Sequence, residues 1–148
     1  MRAVVTRVTE ASVSIDGQVR GKIGDGFLVL LGIAPEDTEA QAKRLADKIC
    51  SLRVFSDEAG KMNVDLAAIG GSVLVVSQFT LFANCKKGNR PSFVGAAGPD
   101  HAIPLYERFM EIIREKGFAV EHGEFGALME VASVNDGPVT IWMDTDLL

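Results

Sequence analysis

The run FLVLLGIA at residues 27–34 has no polar face, and it limits the fold more than any other stretch of the chain. A strand that is apolar on both sides has to be covered on both sides, so it belongs in the middle of a packed sheet. Flanking segments supply partners. RAVVTRV (2–8) sets Val5 and Arg7 on one face and Val4, Thr6 and Val8 on the other. ASVSID (11–16) gathers Ala11, Val13 and Ile15 on a common face. Asp16-Gly17 is a two-residue hairpin signal, with QVRGKI (18–23) as the returning strand.

Helical spacing appears twice. PEDTEAQAKRLADKICSL (35–52) carries Ala42, Leu45, Ala46, Ile49 and Leu52 on one stripe, and Thr38 with Gln41 forms a capping box. DHAIPLYERFMEIIREKG (100–117) places Leu105, Phe109, Ile112 and Ile113 inward, with Asp100 as N-cap, Pro104 near the first turn and Gly117 as the stop. RVFSDEAGKMN (53–63) reads as a short strand entering a turn, and GGSVLVVSQFTLFA (70–83) as a long central strand. FAVEHGEF, LMEVASV and PVTIWMD close the chain as strands. Two helices for so many strands predict an α+β fold: a mainly antiparallel β-sheet or barrel with two helices packed outside, in a single domain over 1–148.

At 148 residues, 47% hydrophobic and 24% charged, the chain suits one domain with a real core. No apolar run approaches the ~20 residues of a membrane span. The opening MRAVVTRVTE is charged too early for a signal peptide. Two cysteines, Cys50 and Cys85, build no disulfide framework and are read as reduced thiols of a cytoplasmic protein. A net charge of −5 argues against a general nucleic-acid coat protein, yet leaves room for a local basic patch at KKGNR (86–90).

Two stretches carry unexpected polarity. In SQFT (77–80), strand alternation puts Ser77 and Phe79 on one side and Gln78 and Thr80 on the other. An amide and a hydroxyl then converge on one spot, where the hydroxyl can donate, accept or, if activated, attack. Loop backbone can satisfy the same groups, and neither His101 nor His122 lies near Thr80 in sequence, so the pattern alone stops short of an enzyme. In SVNDGPVTIW (133–142), Asn135–Pro138 has the composition of a hairpin turn, while Pro138 directly before VTIW belongs at a strand start or edge. His122 with Glu121 and Glu124 hints at metal, but Glu121 and His122 alternate across a strand, so neither metal nor cofactor is expected.

Together, MRAVVTRVTEASVSIDG, GFLVLLGI, KMN (61–63), SQFTLFA (77–83), KGNRPSF (87–93) and NDGPVTIW (135–142) resemble the D-aminoacyl-tRNA deacylases, also called D-tyrosyl-tRNA deacylases, over the whole chain. The resemblance implies a homodimeric, barrel-like esterase that frees tRNA from a D-amino acid, and from achiral glycine. By the same resemblance, a cis Gly137-Pro138 reaches from one subunit into the partner's pocket, beside Ser77, Gln78, Phe79 and Thr80. Arg7 holds the dipeptide, and Lys86, Lys87 and Arg90 lie near the 3′-terminal adenosine. It leaves two mechanisms: Thr80 as nucleophile, or water assisted by the substrate's 2′-hydroxyl with amides around Phe79-Thr80 holding the oxyanion. The absence of an evident base for Thr80 favours the second. Two other classes compete. A threonine-dependent small-ester or peptide hydrolase would need no RNA. A non-catalytic RNA-binding barrel would need aromatic platforms and a basic face, which one Trp, one Tyr and a negative net charge serve poorly.

Overall fold

In the computed structural model, which describes residues 1–148, the elements run β1 (Arg2–Ile15), β2 (Gln18–Ile23), β3 (Gly26–Gly32), α1 (Glu39–Cys50), β4 (Phe55–Ser56), β5 (Met62–Val64), β6 (Ser72–Ser77), α2 (Pro99–Glu115), β7 (Val120–His122) and β8 (Glu130–Asp144). Strand β1 organises the sheet. It pairs antiparallel with β3 through residues 2–8, with β2 through residues 11–15, and with β8 along nearly its whole length. Beyond β3 the sheet turns parallel, β3 to β6 and β6 to β7, in the order β2-β1-β3-β6-β7. The two ends meet without pairing: a Cβ on Gly21 of β2 would lie 2.9 Å from the His122 carbonyl of β7. The result is a nearly closed barrel with two helices outside, mixed where antiparallel pairing dominates the expectation.

Burial on both faces explains the apolar runs. Phe27, Val29 and Leu31 of β3, with Val73 and Val75 of β6, face α1 and α2, where Leu45, Ile49, Phe109 and Ile113 are fully buried. Burying each such side chain stabilises the fold by roughly 1.5–3 kcal/mol. Leu28, Leu74 and Val76 face the opposite way, onto Val8, Ala11, Val13 and Ile23. Asp16 and Gly17 take positive φ values of 51° and 76°, as the β1–β2 hairpin requires. Thr38 caps α1 through the expected reciprocal box with Gln41. No helix is long and apolar enough to cross a membrane.

Several expectations need correction. RAVVTRV and ASVSID are one strand of 14 residues, since β8 bridges the polar Thr9-Glu10 interval with register shifts rather than a break. The last two strands are likewise one. Asn135 pairs with Val8 and Thr140 with Thr6, so residues 136–139 bulge out opposite Arg7 without reversing the chain. Helix α2 begins at Pro99 after Gly98, which leaves Asp100 in the first turn, where its charge meets the positive end of the helix. The segment after α1 is the expected short strand entering a turn, and the chain returns from that turn as β5 to close a separate two-stranded hairpin.

Candidate active site

Strand β6 stops at Ser77. One more bond of the parallel ladder follows, Gln78 N–H to Leu31 O at 2.7 Å, and the chain then winds into a 3-10 turn, Phe79–Phe82. Alternation therefore fails at Phe79, because the floor of the turn is a glycine. A Cβ at Gly32 would stand 3.0 Å from the Gln78 carbonyl and 3.1 Å from Leu81 Cβ. Only a bare backbone lets the turn settle there. Arg2, which sequence patterning does not single out, fastens it from the far side. Its Nη1 donates to Leu81 O at 3.0 Å, its guanidinium lies 4.5 Å from the Phe82 ring centroid, and its Nε pairs with Asp144 at 2.8 Å.

The convergence expected of Gln78 and Thr80 is present, by a different geometry. Gln78 Nε2 donates to Thr80 Oγ1 at 2.5 Å across the start of the turn. The amides of Phe79 and Thr80 open that turn and so have no acceptor within it, leaving two donors side by side. No base stands near. His101 Nε2 bonds Asp37 O at 2.8 Å, and His122 Nδ1 bonds Gly123 O at 2.6 Å.

Val76, Ser77, Gln78 and Phe79 form one wall of a cavity of about 290 Å³; Phe125 to Met129 and Val131 form the other. That second wall is absent from the sequence reading. FAVEHGEF and LMEVASV read as strands running into EFGALM (124–129), but β7 ends at His122 and β8 begins at Glu130, so this segment is a connection, with Leu128 94% exposed. A larger concavity of about 610 Å³ lies between α2 and the β7 end, around Tyr106 and His122. None of the polar SQFT groups lines it, and Tyr106 uses its hydroxyl on Val75 O at 3.0 Å, whereas Ser77 and Gln78 line the smaller cavity. No group of three or more His, Cys, Asp or Glu side chains is placed to hold a metal ion.

The loop after the turn carries the expected cations. Asn84 and Ser92 bridge its base through reciprocal backbone bonds of 2.8 and 3.0 Å, so Lys86, Lys87 and Arg90 are exposed on a closed loop and enter no ion pair. Phe93 at its end meets Phe79 edge to face, ring centroids 5.2 Å apart, which ties the loop to the cavity mouth.

Gly137 and Pro138 stand elsewhere. Neither lines the cavity, so on one chain the two halves of the anticipated site are separate. The bulge is nonetheless fixed. Arg7, nearly buried, donates from Nε to Asp136 O at 2.9 Å and from Nη1 to Val54 O at 2.5 Å, with the Asp136 carboxylate 3.3 Å away. Asn135 Oδ1 accepts from Val139 N at 2.9 Å, closing the bulge on itself. The Gly137–Pro138 bond is cis and Gly137 has φ +135°. A Cβ there would meet Val139 Cγ2 at 2.9 Å and Arg7 Nη2 at 3.0 Å, so glycine is required twice over.

Over nearly its whole length, this turn and this bulge included, the chain matches a known family. The family model described as D-Tyr-tRNA(Tyr) deacylase covers residues 4–144. The chain belongs to the D-aminoacyl-tRNA deacylase family. The D-aminoacyl-tRNA deacylase of Thermus aquaticus is 58% identical over 145 residues, 98% of this chain and 95% of that protein. That of Bacillus velezensis is 56% identical, covering 98% and 99%. Among solved structures, a c-Myc DNA unwinding element binding protein aligns with a TM-score of 0.91 at 43% identity, over 97% of this chain and 98% of that one. A probable eukaryotic D-amino acid tRNA deacylase shares the fold, with a TM-score of 0.80 at 15% identity over 96% and 97%.

Proposed function

We propose that this deacylase hydrolyses the ester of D-aminoacyl-tRNA and of glycyl-tRNA in the cytoplasm, as a homodimer in which each cavity is completed by the partner's Gly137-Pro138. The observation that carries the reading is the Arg7 clamp: it holds a glycine-proline bulge that does not line its own chain's cavity. Strand β8 supports the dimer, because it pairs only with β1 and exposes Val131, Val134 and Trp142. An open edge with an apolar face is the kind of surface a second copy covers. Two unpaired cysteines fit a reducing compartment.

Clamped main chain discriminates by position. Unlike a side chain, it cannot rotate out of the way, so an L-amino acid's Cβ collides with it whatever the side chain is, and a D-amino acid's does not. Discrimination comes from excluding the wrong enantiomer. Glycine has nothing to exclude and is cleaved as well. For the chemistry, water adds to the ester carbonyl, whose developing oxyanion accepts from the Phe79 and Thr80 amides. The bond to the ribose 3′-oxygen then breaks, and that oxygen takes a proton relayed by the neighbouring 2′-hydroxyl. Thr80 positions the turn through Gln78, while Lys86, Lys87 and Arg90 hold the 3′ end.

Purified protein should release tRNA from D-tyrosyl-tRNA and leave D-tyrosine ethyl ester untouched. Equal cleavage of the simple ester would favour the threonine-dependent hydrolase. Thr80→Ala should retain near-full activity, whereas a tRNA ending in 2′-deoxyadenosine should be cleaved poorly. The opposite pair of outcomes makes Thr80 the nucleophile.

A further inference from the structure

Arg7 does not clamp the glycine-proline bulge alone. Its second bond goes to Val54 O, so the same guanidinium fixes the start of the β4–β5 hairpin to Asp136. A hairpin with strands of two and three residues is too small to hold itself together in water. This one is latched throughout. Asp57 N–H donates to Lys61 O at 2.8 Å and Gly60 N–H to Asp57 O at 2.9 Å. Asp57 Oδ1 accepts from the amides of Ala59 and Lys61, each at 2.9 Å. At the base, Arg53 Nε donates to Asn63 O at 2.8 Å and a second guanidinium nitrogen to the Asn63 side chain.

These latches leave the side chains of Ser56, Glu58 and Lys61 exposed and unpaired, and of the three only Lys61 is a cation. Lys61 is exposed, and its ammonium has no carboxylate partner: Asp57 is taken by backbone amides, and Glu58 forms no ion pair. Beside it Met62 is 58% exposed. The latched backbone therefore presents an unpaired cation beside an exposed apolar side chain, on an appendage joined through Arg7 to Asp136, the neighbour of Gly137.

We propose that the β4–β5 hairpin travels with Gly137-Pro138 to the partner's cavity, where Lys61 holds a phosphodiester of the bound tRNA acceptor end. This rests on the dimeric deacylase reading above. Lys61 is then a substrate-positioning residue acting in trans: the subunit that supplies the chiral wall also grips the backbone of the molecule being inspected.

The experiment uses Lys61→Glu, with Lys48→Glu on the exposed face of α1 as the charge control. With D-tyrosyl-tRNA, Lys61→Glu should raise KM about tenfold with the loss falling on KM rather than kcat, and flatten the log–log salt dependence of tRNA binding by roughly 0.7–0.9, as expected for one phosphate contact. Lys48→Glu should do neither. A heterodimer then fixes the geometry. One subunit carries Lys61→Glu and an intact cavity; the other carries Ser77→Trp, which fills its own cavity, and an intact hairpin. The one open cavity should work with the wild-type KM, because its hairpin comes from the Ser77→Trp subunit. A KM like that of the Lys61→Glu homodimer would overturn the trans contact, and an unaltered KM and salt slope in Lys61→Glu would overturn the phosphate contact. A wild-type protein that is monomeric, or that leaves D-tyrosyl-tRNA intact, would overturn the underlying reading instead.

Discussion

Replacing Arg7 by Lys probes the clamp while keeping the charge. The guanidinium spans two carbonyls from separate segments, Asp136 O and Val54 O, with Nε and Nη1. An ammonium is a single point donor and cannot replace that planar fork. At least one charge-assisted bond is lost and a part-buried carbonyl is left short of a donor, which costs about 1.5–3 kcal/mol. In a domain of this size the melting temperature should fall by roughly 3–12 °C. If the same free energy holds the bulge where it excludes L-substrates, then at 1.4 kcal/mol per decade the D-over-L rate ratio falls about ten- to a hundredfold. Most of the change should come from faster L-hydrolysis. The assay is initial-rate deacylation of D- and L-tyrosyl-tRNA, alongside thermal unfolding of the same preparations. A variant with the expected drop in melting temperature and an undiminished D-over-L ratio would refute the idea that Arg7 sets the wall.

Gly32→Ala should push the Gln78–Phe82 turn off its seat, given the 3.0 Å approach to Gln78 O. Overpacking of this kind costs about 1–3 kcal/mol, and kcat/KM for D-substrate should fall at least about tenfold while the protein stays folded by circular dichroism. Wild-type activity would detach the turn from catalysis. On the outer face, the Lys116 ammonium, 2.5 Å from Asp47 Oδ1, and then Lys43 hold the Asp47 carboxyl below its ordinary 3.8. A depressed folded-state value means stabilisation present above the ordinary carboxylate range and lost as pH falls through the folded value. Thermal unfolding at neutral pH should therefore show Lys116→Met less stable than wild type, with the gap narrowing below about pH 4. A gap independent of pH would contradict the ionic link.

Where physics is local, the residues announce the structure. Asp16-Gly17, the Thr38–Gln41 box and the two-sided burial of residues 27–34 and 73–76 all depend on neighbours in sequence, and each appears as read. Where a distant residue decides, the reading fails. The strand through SQFT ends because Gly32, far back in the chain, leaves a seat for a turn. The two closing strands fuse because β1 is long enough to pair with both. Their turn-like Asn135–Pro138 becomes a bulge because Arg7 waits opposite to hold it. Pattern placed Gln78 and Thr80 together for a reason that proved local after all, since adjacent turns and strands both bring them within reach. The wall from Phe125 to Met129 sits where two strand-like segments run past their last paired residues, His122 and Glu130, and Arg2 reaches the site only through tertiary contacts.

Chirality exclusion by clamped main chain is tested most directly by the ratio of D- to L-tyrosyl-tRNA hydrolysis by the wild-type protein and by Gly137→Ala, whose added Cβ would strike Arg7 Nη2 at 3.0 Å and displace the bulge. The wild type should cleave the D-ester and spare the L-ester, and the variant should lose most of that preference. Equal hydrolysis of both enantiomers by the wild type, or an unshaken preference in Gly137→Ala, would contradict it.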